Sequence, residues 1–149
     1  MPPCWVCFEI MTLGNLSNLF KNLDHTNQCK KDVTHFFGLK SPELLENWMH
    51  CISLIRNLCA HHSRLWNRNI AVDIKFPEKP SILFIQNKQR RPNKLYAPLC
   101  CILYLLNIIE PNNTFKAELI ELLIKYSIDS IPMGFPPDWK QELFWKIDS

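Results

Sequence analysis

The fold is decided by residues 41–60, whose sequence is SPELLENWMHCISLIRNLCA. Ser41 and Pro42 form a helix start signal, because Ser caps helices well and Pro suits the first helical position. Beyond them, apolar side chains recur at spacings of three and four residues, which predicts a helix with one face in the core. The predicted core face consists of Leu45, Trp48, Met49, Ile52, Ile55 and Cys59. This helix carries Arg56 towards its end.

Apolar patterns on both sides of this segment predict four more helices. Residues 4–23 carry a broad apolar stripe, with Gly14 as a weak point, and residues 28–37 form a shorter helix that is closed by Gly38. Residues 95–109 are apolar nearly all round, which predicts the central buried helix. Residues 114–126 are amphipathic, and the side chains predicted to face inward are Leu119, Leu122, Leu123 and Tyr126.

The stretch between the predicted helices at 41–60 and 95–109 lacks a helical pattern. Residues 67–92 contain three prolines and polar clusters around short apolar pieces, which predicts a long irregular connection with at most a brief extended piece. With 149 residues, 47% hydrophobic and 21% charged, the chain is long enough for one core and short for two. We therefore expect an all-α protein in which residues 1–149 form a single domain.

The composition also bears on the compartment. The first 14 residues lack a basic leader and include Glu9, which argues against a secretion signal. The longest apolar run, residues 96–109, is too short to span a bilayer. The seven cysteines are odd in number and several lie in apolar runs, which favours reduced, buried thiols over a disulfide framework. We therefore expect a cytoplasmic protein without a membrane association.

Charge is distributed unevenly along the chain. Residues 1–109 carry 13 Lys or Arg and 7 Asp or Glu, whereas residues 110–149 carry 4 and 7. An anionic partner is therefore expected to meet the first part of the chain. The strongest cluster is residues 56–68, RNLCAHHSRLWNR, with three Arg and two His, and residues 47–72 contain no Asp or Glu that could form an acidic metal cage.

Arg and His in this pattern suit phosphate chemistry on RNA. Cleavage without a metal needs a group that takes the 2′-hydroxyl proton, a group that protonates the leaving 5′-oxygen, and a cation for the phosphate charge. Histidine side chains exchange protons near neutrality, and Arg binds phosphate oxygens in pairs. Asn57 and His61 are four residues apart and share a helical face, whereas Arg56 and His61 diverge by about 140°. A second copy of the chain could bring the two together, so we expect a homodimer.

Other interpretations of the same residues remain open. A histidine on a helix is often simply packed or exposed, and Arg near a helix C-terminus is favoured by the helix dipole alone. Cys59, His61 and His62 could suggest zinc, but no second pair of ligands follows at a recognisable distance. Cys4 and Cys7 have redox-pair spacing, but two thiols on a packed helical face is the favoured interpretation. A further basic cluster at Lys88, Arg90, Arg91 and Lys94 is typical of a solvated loop.

The cluster resembles a known family. Arg56 and Asn57 followed by His61 match the short signature of HEPN domains, and the whole run RNLCAHHSRLWNR resembles the Abi-like abortive-infection proteins of bacteria, the AbiD/AbiF group. Two flanking segments agree with this family. Residues 2–17, PPCWVCFEIMTLGNLS, resemble its proline and tryptophan opening, and residues 133–139, MGFPPDW, ahead of 143–145, LFW, resemble its closing motif.

The resemblance implies an all-α, HEPN-like helical bundle that acts in defence against phage. It also implies a metal-independent endoribonuclease that needs no cofactor, with Arg56 and His61 as the catalytic pair. We expect Asn57 and His62 to support them. The RNA-binding residues would be Arg64 and Arg68. The expected partners are RNA and a second copy of the chain, with an antitoxin or a non-coding RNA as a candidate regulator.

One departure from the family pattern concerns length. Members usually carry an additional helical half before the Pro-Pro-x-Trp segment, which begins here at Met1, so we expect a form that lacks this N-terminal half. The alternative function is a non-catalytic helical module that binds RNA or a protein through the same basic surface. The observation that separates the two functions is whether His61 is exposed in a cleft beside Arg56 of either copy, and burial of both residues in a core would exclude catalysis.

Overall fold

A computed structural model describes residues 3–86 and 91–146 of the chain, and in these two ranges all regular structure is helical. The α-helices are α1 (Cys4–Ile10), α2 (Leu13–Asn22), α3 (Gln28–Phe36), α4 (Pro42–Ala60), α5 (Tyr96–Ile109) and α6 (Phe115–Lys125). Three short 3-10 turns follow at Ile131–Met133, Trp139–Gln141 and Leu143–Trp145. The all-α prediction is confirmed. The HEPN-like arrangement and the single domain stay predictions.

Helix α4 is the longest and packs against α2, α3 and α5. It begins as predicted, with Ser41 at the N-cap and Pro42 in the first turn, although the Ser41 hydroxyl donates to the Glu43 carboxylate and does not cap the backbone. The buried face includes Leu45, Trp48, Cys51 and Ile55.

Cys59 is exposed, so its assignment to the core face of α4 was wrong. The helical repeat does place Cys59 on the inward face, but the last turn of α4 extends beyond the side chains that cover this face. Met49 and Ile52 of the predicted face are partly buried.

The centre of the core is built around Trp48. Its indole packs edge-on to Tyr104 of α5 at 5.3 Å and stacks on Phe84 at 6.0 Å between ring centroids. The indole Nε1 donates to the Lys75 carbonyl at 2.7 Å. The irregular connection after α4 is therefore bound directly to α4. Helix α5 has eight buried residues, which confirms that it is the central buried helix.

The predicted first helix is two helices. Thr12 interrupts it, because its side chain accepts a hydrogen bond from the Asn15 backbone N–H at 3.2 Å and so caps α2. Gly14, the predicted weak point, lies inside α2. Every residue of α1 is at least partly exposed, with Trp5 63% exposed, so its apolar stripe does not enter the core.

The inward face of α6 also differs from the prediction. Leu123 is buried and Leu119 is partly buried, but Leu122 and Tyr126 are exposed. The partly buried positions Phe115 and Ile120 complete the contact with the core. The face of α6 that meets the core is therefore the row Phe115, Leu119 and Leu123, whose members are four residues apart, together with Ile120.

A buried lysine joins the N-terminal helices. The Lys30 ammonium lies 2.7 Å from a carboxylate oxygen of Glu46 and donates to the carbonyls of Lys21 at 3.2 Å and Leu23 at 2.9 Å. It also lies 5.5 Å from the centre of the Phe20 ring. Because one side chain satisfies the carbonyls at the end of α2 and a carboxylate on α4, it fixes α3 between them.

The irregular segments cover the far side of α5. Ile70 and Ile74 donate backbone hydrogen bonds to the carbonyls of Asn93 and Pro92, which draws both ends of the connection together without a strand ladder among the described residues. At the C-terminal end, Trp145 packs against Tyr96, and its Nε1 donates to the Tyr96 hydroxyl at 3.2 Å.

Candidate functional site

The candidate site lies at the C-terminal end of α4. The helix ends at Ala60, and the chain turns through His61 into His62, whose φ of 51° is in the left-handed region. Ser63 N–H donates to the Leu58 carbonyl at 2.9 Å and His62 N–H to the Cys59 carbonyl at 3.0 Å. These two bonds form a Schellman motif, in which glycine usually holds the left-handed position. Histidine here tolerates that conformation at some cost.

Arg56, Asn57 and His61 are all exposed. The Arg56 guanidinium donates to the Asn57 side-chain oxygen at 3.1 Å. Since neither Arg56 nor His61 is sealed in the core, both can reach a ligand. His62, Arg64 and the last helical residue Ala60 are exposed as well.

A shallow groove of about 270 Å³ runs beside this helix end. Its polar lining includes Asn57, His61 and Arg68, and its remaining lining residues are Leu54, Leu58, Asn69, Ile70 and Ala71. The groove lining thus includes Asn57, His61 and Arg68 from the predicted set, although most of its exposed surface is apolar. Arg56 does not line the groove, which is consistent with the angle of about 140° between positions 56 and 61, but it donates to the groove residue Asn57.

Arg68 reaches the groove because the chain after the helix makes a tight turn. Arg68 N–H donates to the Leu65 carbonyl at 3.1 Å, and Asn67 has a φ of 55° at the third position of this turn. A left-handed residue at that position is typical of a type II turn, and Asn tolerates it well. The turn is attached to the rest of the protein by Trp66, whose Nε1 donates to the Asp129 carbonyl at 3.0 Å.

The structure adds one cation that sequence analysis did not assign to the site. The Lys94 ammonium donates to the Asn67 side-chain oxygen at 3.1 Å and to its carbonyl at 3.3 Å. In the sequence, Lys94 belongs to a separate basic cluster, and spacing alone gives no signal that it meets the turn. Lys88 and Arg90 of that cluster lie outside the described residues, and Arg91 is exposed.

The cysteine predictions need correction. All seven cysteines are free thiols, but Cys4, Cys7, Cys29 and Cys59 are exposed, so only part of the set is buried. Cys4 and Cys7 do not lie on a packed face, because α1 is separated from the core after Ile10. Over residues 3–86 and 91–146, no group of three or more His, Cys, Asp and Glu could hold a metal ion. In the same ranges, no helix is long and apolar enough to cross a membrane.

Comparison with known proteins gives one family match. The family model described as Abi-like protein matches residues 1–67, which contain α1 to α4 and the Arg and His cluster as far as Asn67. The predicted resemblance is confirmed over this part of the chain. No curated protein and no solved structure matches the chain.

Proposed function

We propose, from the match of residues 1–67 to the Abi-like family, that the chain acts in abortive infection as an RNA-cleaving effector. The family assignment supports the defence role. The proposed activity is a metal-independent endoribonuclease of the HEPN type that cleaves single-stranded RNA. The observation that carries it is the groove whose lining includes Asn57, His61 and Arg68, beside the exposed Arg56.

In the proposed reaction, the nucleophile is the 2′-hydroxyl of the RNA itself. His61 takes the proton from this hydroxyl as its oxygen bonds to the adjacent phosphorus. The bond from phosphorus to the 5′-oxygen breaks, and a second imidazole, from His62 or from the partner copy, protonates the leaving oxygen. Arg56 neutralises the charge that develops on the phosphate, and Asn57 positions Arg56 through their hydrogen bond.

Local charge supports this mechanism over one that uses metal ions held by carboxylates. Residues 47–72 contain no Asp or Glu, so the groove-lining residues of this stretch offer nitrogen donors in place of the oxygen ligands that magnesium prefers. Arg64 and Arg68 are exposed on the same segment and would bind the flanking phosphates.

The proposed active unit is a two-fold homodimer. Arg56 lies outside the lining of the groove that His61 shares, so Arg56 of one copy would serve His61 of the other. Complementation tests this arrangement. Arg56→Ala and His61→Ala should each be inactive alone, but a mixed dimer would keep one intact pair and recover activity when the two variants are mixed.

The experiment uses purified protein and a labelled single-stranded RNA. Wild type and the control His35→Ala, which removes an exposed imidazole on α3, should cleave the strand, whereas Arg56→Ala and His61→Ala should not. Recovery in the mixture supports the shared site. If wild type cleaves the RNA but the mixture of the two variants does not, Arg56 and His61 of the same chain form the active site. RNA binding without cleavage by wild type contradicts the enzyme and supports the non-catalytic module.

A further inference from the structure

Trp66 is exposed where the other central tryptophans are not. Trp48, Trp139 and Trp145 are buried, whereas 42% of the surface of Trp66 is accessible. The indole Nε1–H of Trp66 donates to the Asp129 carbonyl, and this bond at the polar edge of the ring holds the side chain in position. That bond does not use the faces of the ring, which carry its apolar surface.

The position of the Trp66 ring is fixed by the turn that contains it and by hydrogen bonds at Trp66 and at the next residue. Trp66 is the second residue of the turn that the Arg68 to Leu65 hydrogen bond closes. Its own indole is bound to Asp129, and the next residue, Asn67, is bound by Lys94. A ring that is fixed before binding loses little conformational freedom when a ligand stacks on it.

Cationic residues lie near Trp66 in the sequence, and one cation contacts the next residue of its turn. Arg64 and Arg68 are exposed two residues to either side, and Lys94 contacts the neighbouring residue. Asp129 brings a carboxylate to the same region, but one of its oxygens accepts the Ile131 N–H at 3.1 Å. A partly exposed indole with exposed Arg residues two positions before and after it in the sequence fits a ligand that combines an aromatic ring with phosphates.

We propose that the Trp66 indole is a stacking platform for one unpaired base of the RNA strand. The phosphates next to this base would bind Arg68, which also lines the groove of His61, so the stacked base would set which phosphate enters the groove. The inference rests on the proposed function, since it concerns the same strand at the same site. Only a strand with an unstacked base can use the platform, so duplex RNA would be a poor ligand.

The test measures binding of a fluorescent 12-nucleotide single-stranded RNA to full-length protein that carries His61→Ala, so that the strand is not cut. Adding Trp66→Ala should weaken binding about 5- to 150-fold, which corresponds to about 1–3 kcal/mol for one stacked base. Trp66→Phe keeps an aromatic face and should recover most of the affinity. Trp5→Ala removes the other exposed tryptophan, on α1, and should bind like the parent.

A second measurement separates stacking from a structural role. Single abasic substitutions along the RNA should weaken binding at a preferred position in the parent but not in the Trp66→Ala variant. Equal affinity of Trp66→Ala and the parent would overturn the inference, as would no RNA binding by the parent. It would also be overturned if Trp66→Phe bound as weakly as Trp66→Ala while both melted early, because Trp66 would then act through the Asp129 contact.

The two proposals can fail separately. A wild-type protein that never cleaves RNA, with the position-dependent abasic effect present, would contradict the endoribonuclease and support the platform. A wild-type protein that cleaves RNA, with unchanged RNA binding by Trp66→Ala, would support the endoribonuclease and contradict the platform.

Discussion

At the scale of single residues, the end of α4 contains a conformation that the sequence does not favour. His62 occupies the left-handed position of a Schellman motif, which glycine fills at the end of α3, where Gly38 has a φ of 62°. An L-residue in this conformation costs about 1 kcal/mol relative to glycine. The strain lies next to His61, as strain often does at functional sites.

His62→Gly should therefore raise the free energy of unfolding by about 1 kcal/mol, measured by urea denaturation. His62→Ala is the matched control, because alanine lacks the imidazole but keeps the unfavourable φ. Equal stability of the glycine and alanine variants would show that the left-handed position is not strained.

Exposure predicts how the candidate catalytic residues affect stability. Arg56→Ala and His61→Ala should each leave the melting temperature within a few degrees of wild type, because both side chains are exposed. Trp48→Ala should lower the free energy of unfolding by about 3–5 kcal/mol, since it removes a buried indole and its hydrogen bond to Lys75. Calorimetry on the three variants checks both statements. Unfolding caused by His61→Ala would make His61 a structural residue.

At the scale of helices, the sequence predicts that a helix exists more accurately than it predicts where the helix begins and ends and which of its faces is buried. Ser41 with Pro42, and Gly38, mark the start of α4 and the end of α3 correctly, because Pro42 and Gly38 act through local backbone conformation, whereas the Ser41 hydroxyl bonds the Glu43 carboxylate. The separation of α1 from α2 was missed, since apolar spacing continues across Thr12 while the Thr12 side chain caps a new helix. The face of α6 was predicted only in part, because Leu122 and Leu123 are equally apolar, and only the packing of the core selects Leu123.

The Thr12 cap gives a prediction at this scale. Thr12→Ala removes the acceptor for the Asn15 N–H and should lower the free energy of unfolding by about 1 kcal/mol in urea. Thr12→Ser is the matched control, because serine keeps the hydroxyl oxygen that accepts from the Asn15 N–H. A Thr12→Ala cost no larger than that of the control would mean that the cap does not stabilise the helix.

At the scale of the whole molecule, contacts between distant segments could not be read from the sequence. The sequence located the Arg and His cluster at the end of α4, because this follows from local spacing. It could not place Arg68 in the groove or Lys94 beside Asn67, because both depend on how the irregular connection folds back. It also could not show that Trp66 meets Asp129, which lies 63 residues away.

The buried thiols make the stability of the folded protein depend on pH in the alkaline range. Burial raises the pKa of Cys51 from 9.0 to about 12, and it also raises the pKa values of Cys100 and Cys101. Because the folded pKa exceeds the unfolded value, the stabilisation is complete below about pH 9 and is lost as the pH rises towards 12.

We therefore expect the free energy of unfolding to fall above pH 9, measured by urea titrations monitored by circular dichroism. Cys51→Ala should reduce the slope of this fall by up to about 1.4 kcal/mol per pH unit, whereas Cys59→Ala, at an exposed thiol, should leave it unchanged. Equal slopes for the two variants would contradict a buried thiol at Cys51.

The central claim is that this chain cleaves RNA through the 2′-hydroxyl of its substrate, with His61 and Arg56 in place of metal ions. End-group analysis of RNA products formed in excess EDTA tests it most directly. The account predicts undiminished cleavage, an upstream product that ends in a 2′,3′-cyclic phosphate, a downstream product with a 5′-hydroxyl, and intact DNA of the same sequence. Loss of cleavage in EDTA that magnesium or manganese restores, or cleavage of the DNA at a comparable rate, would contradict it.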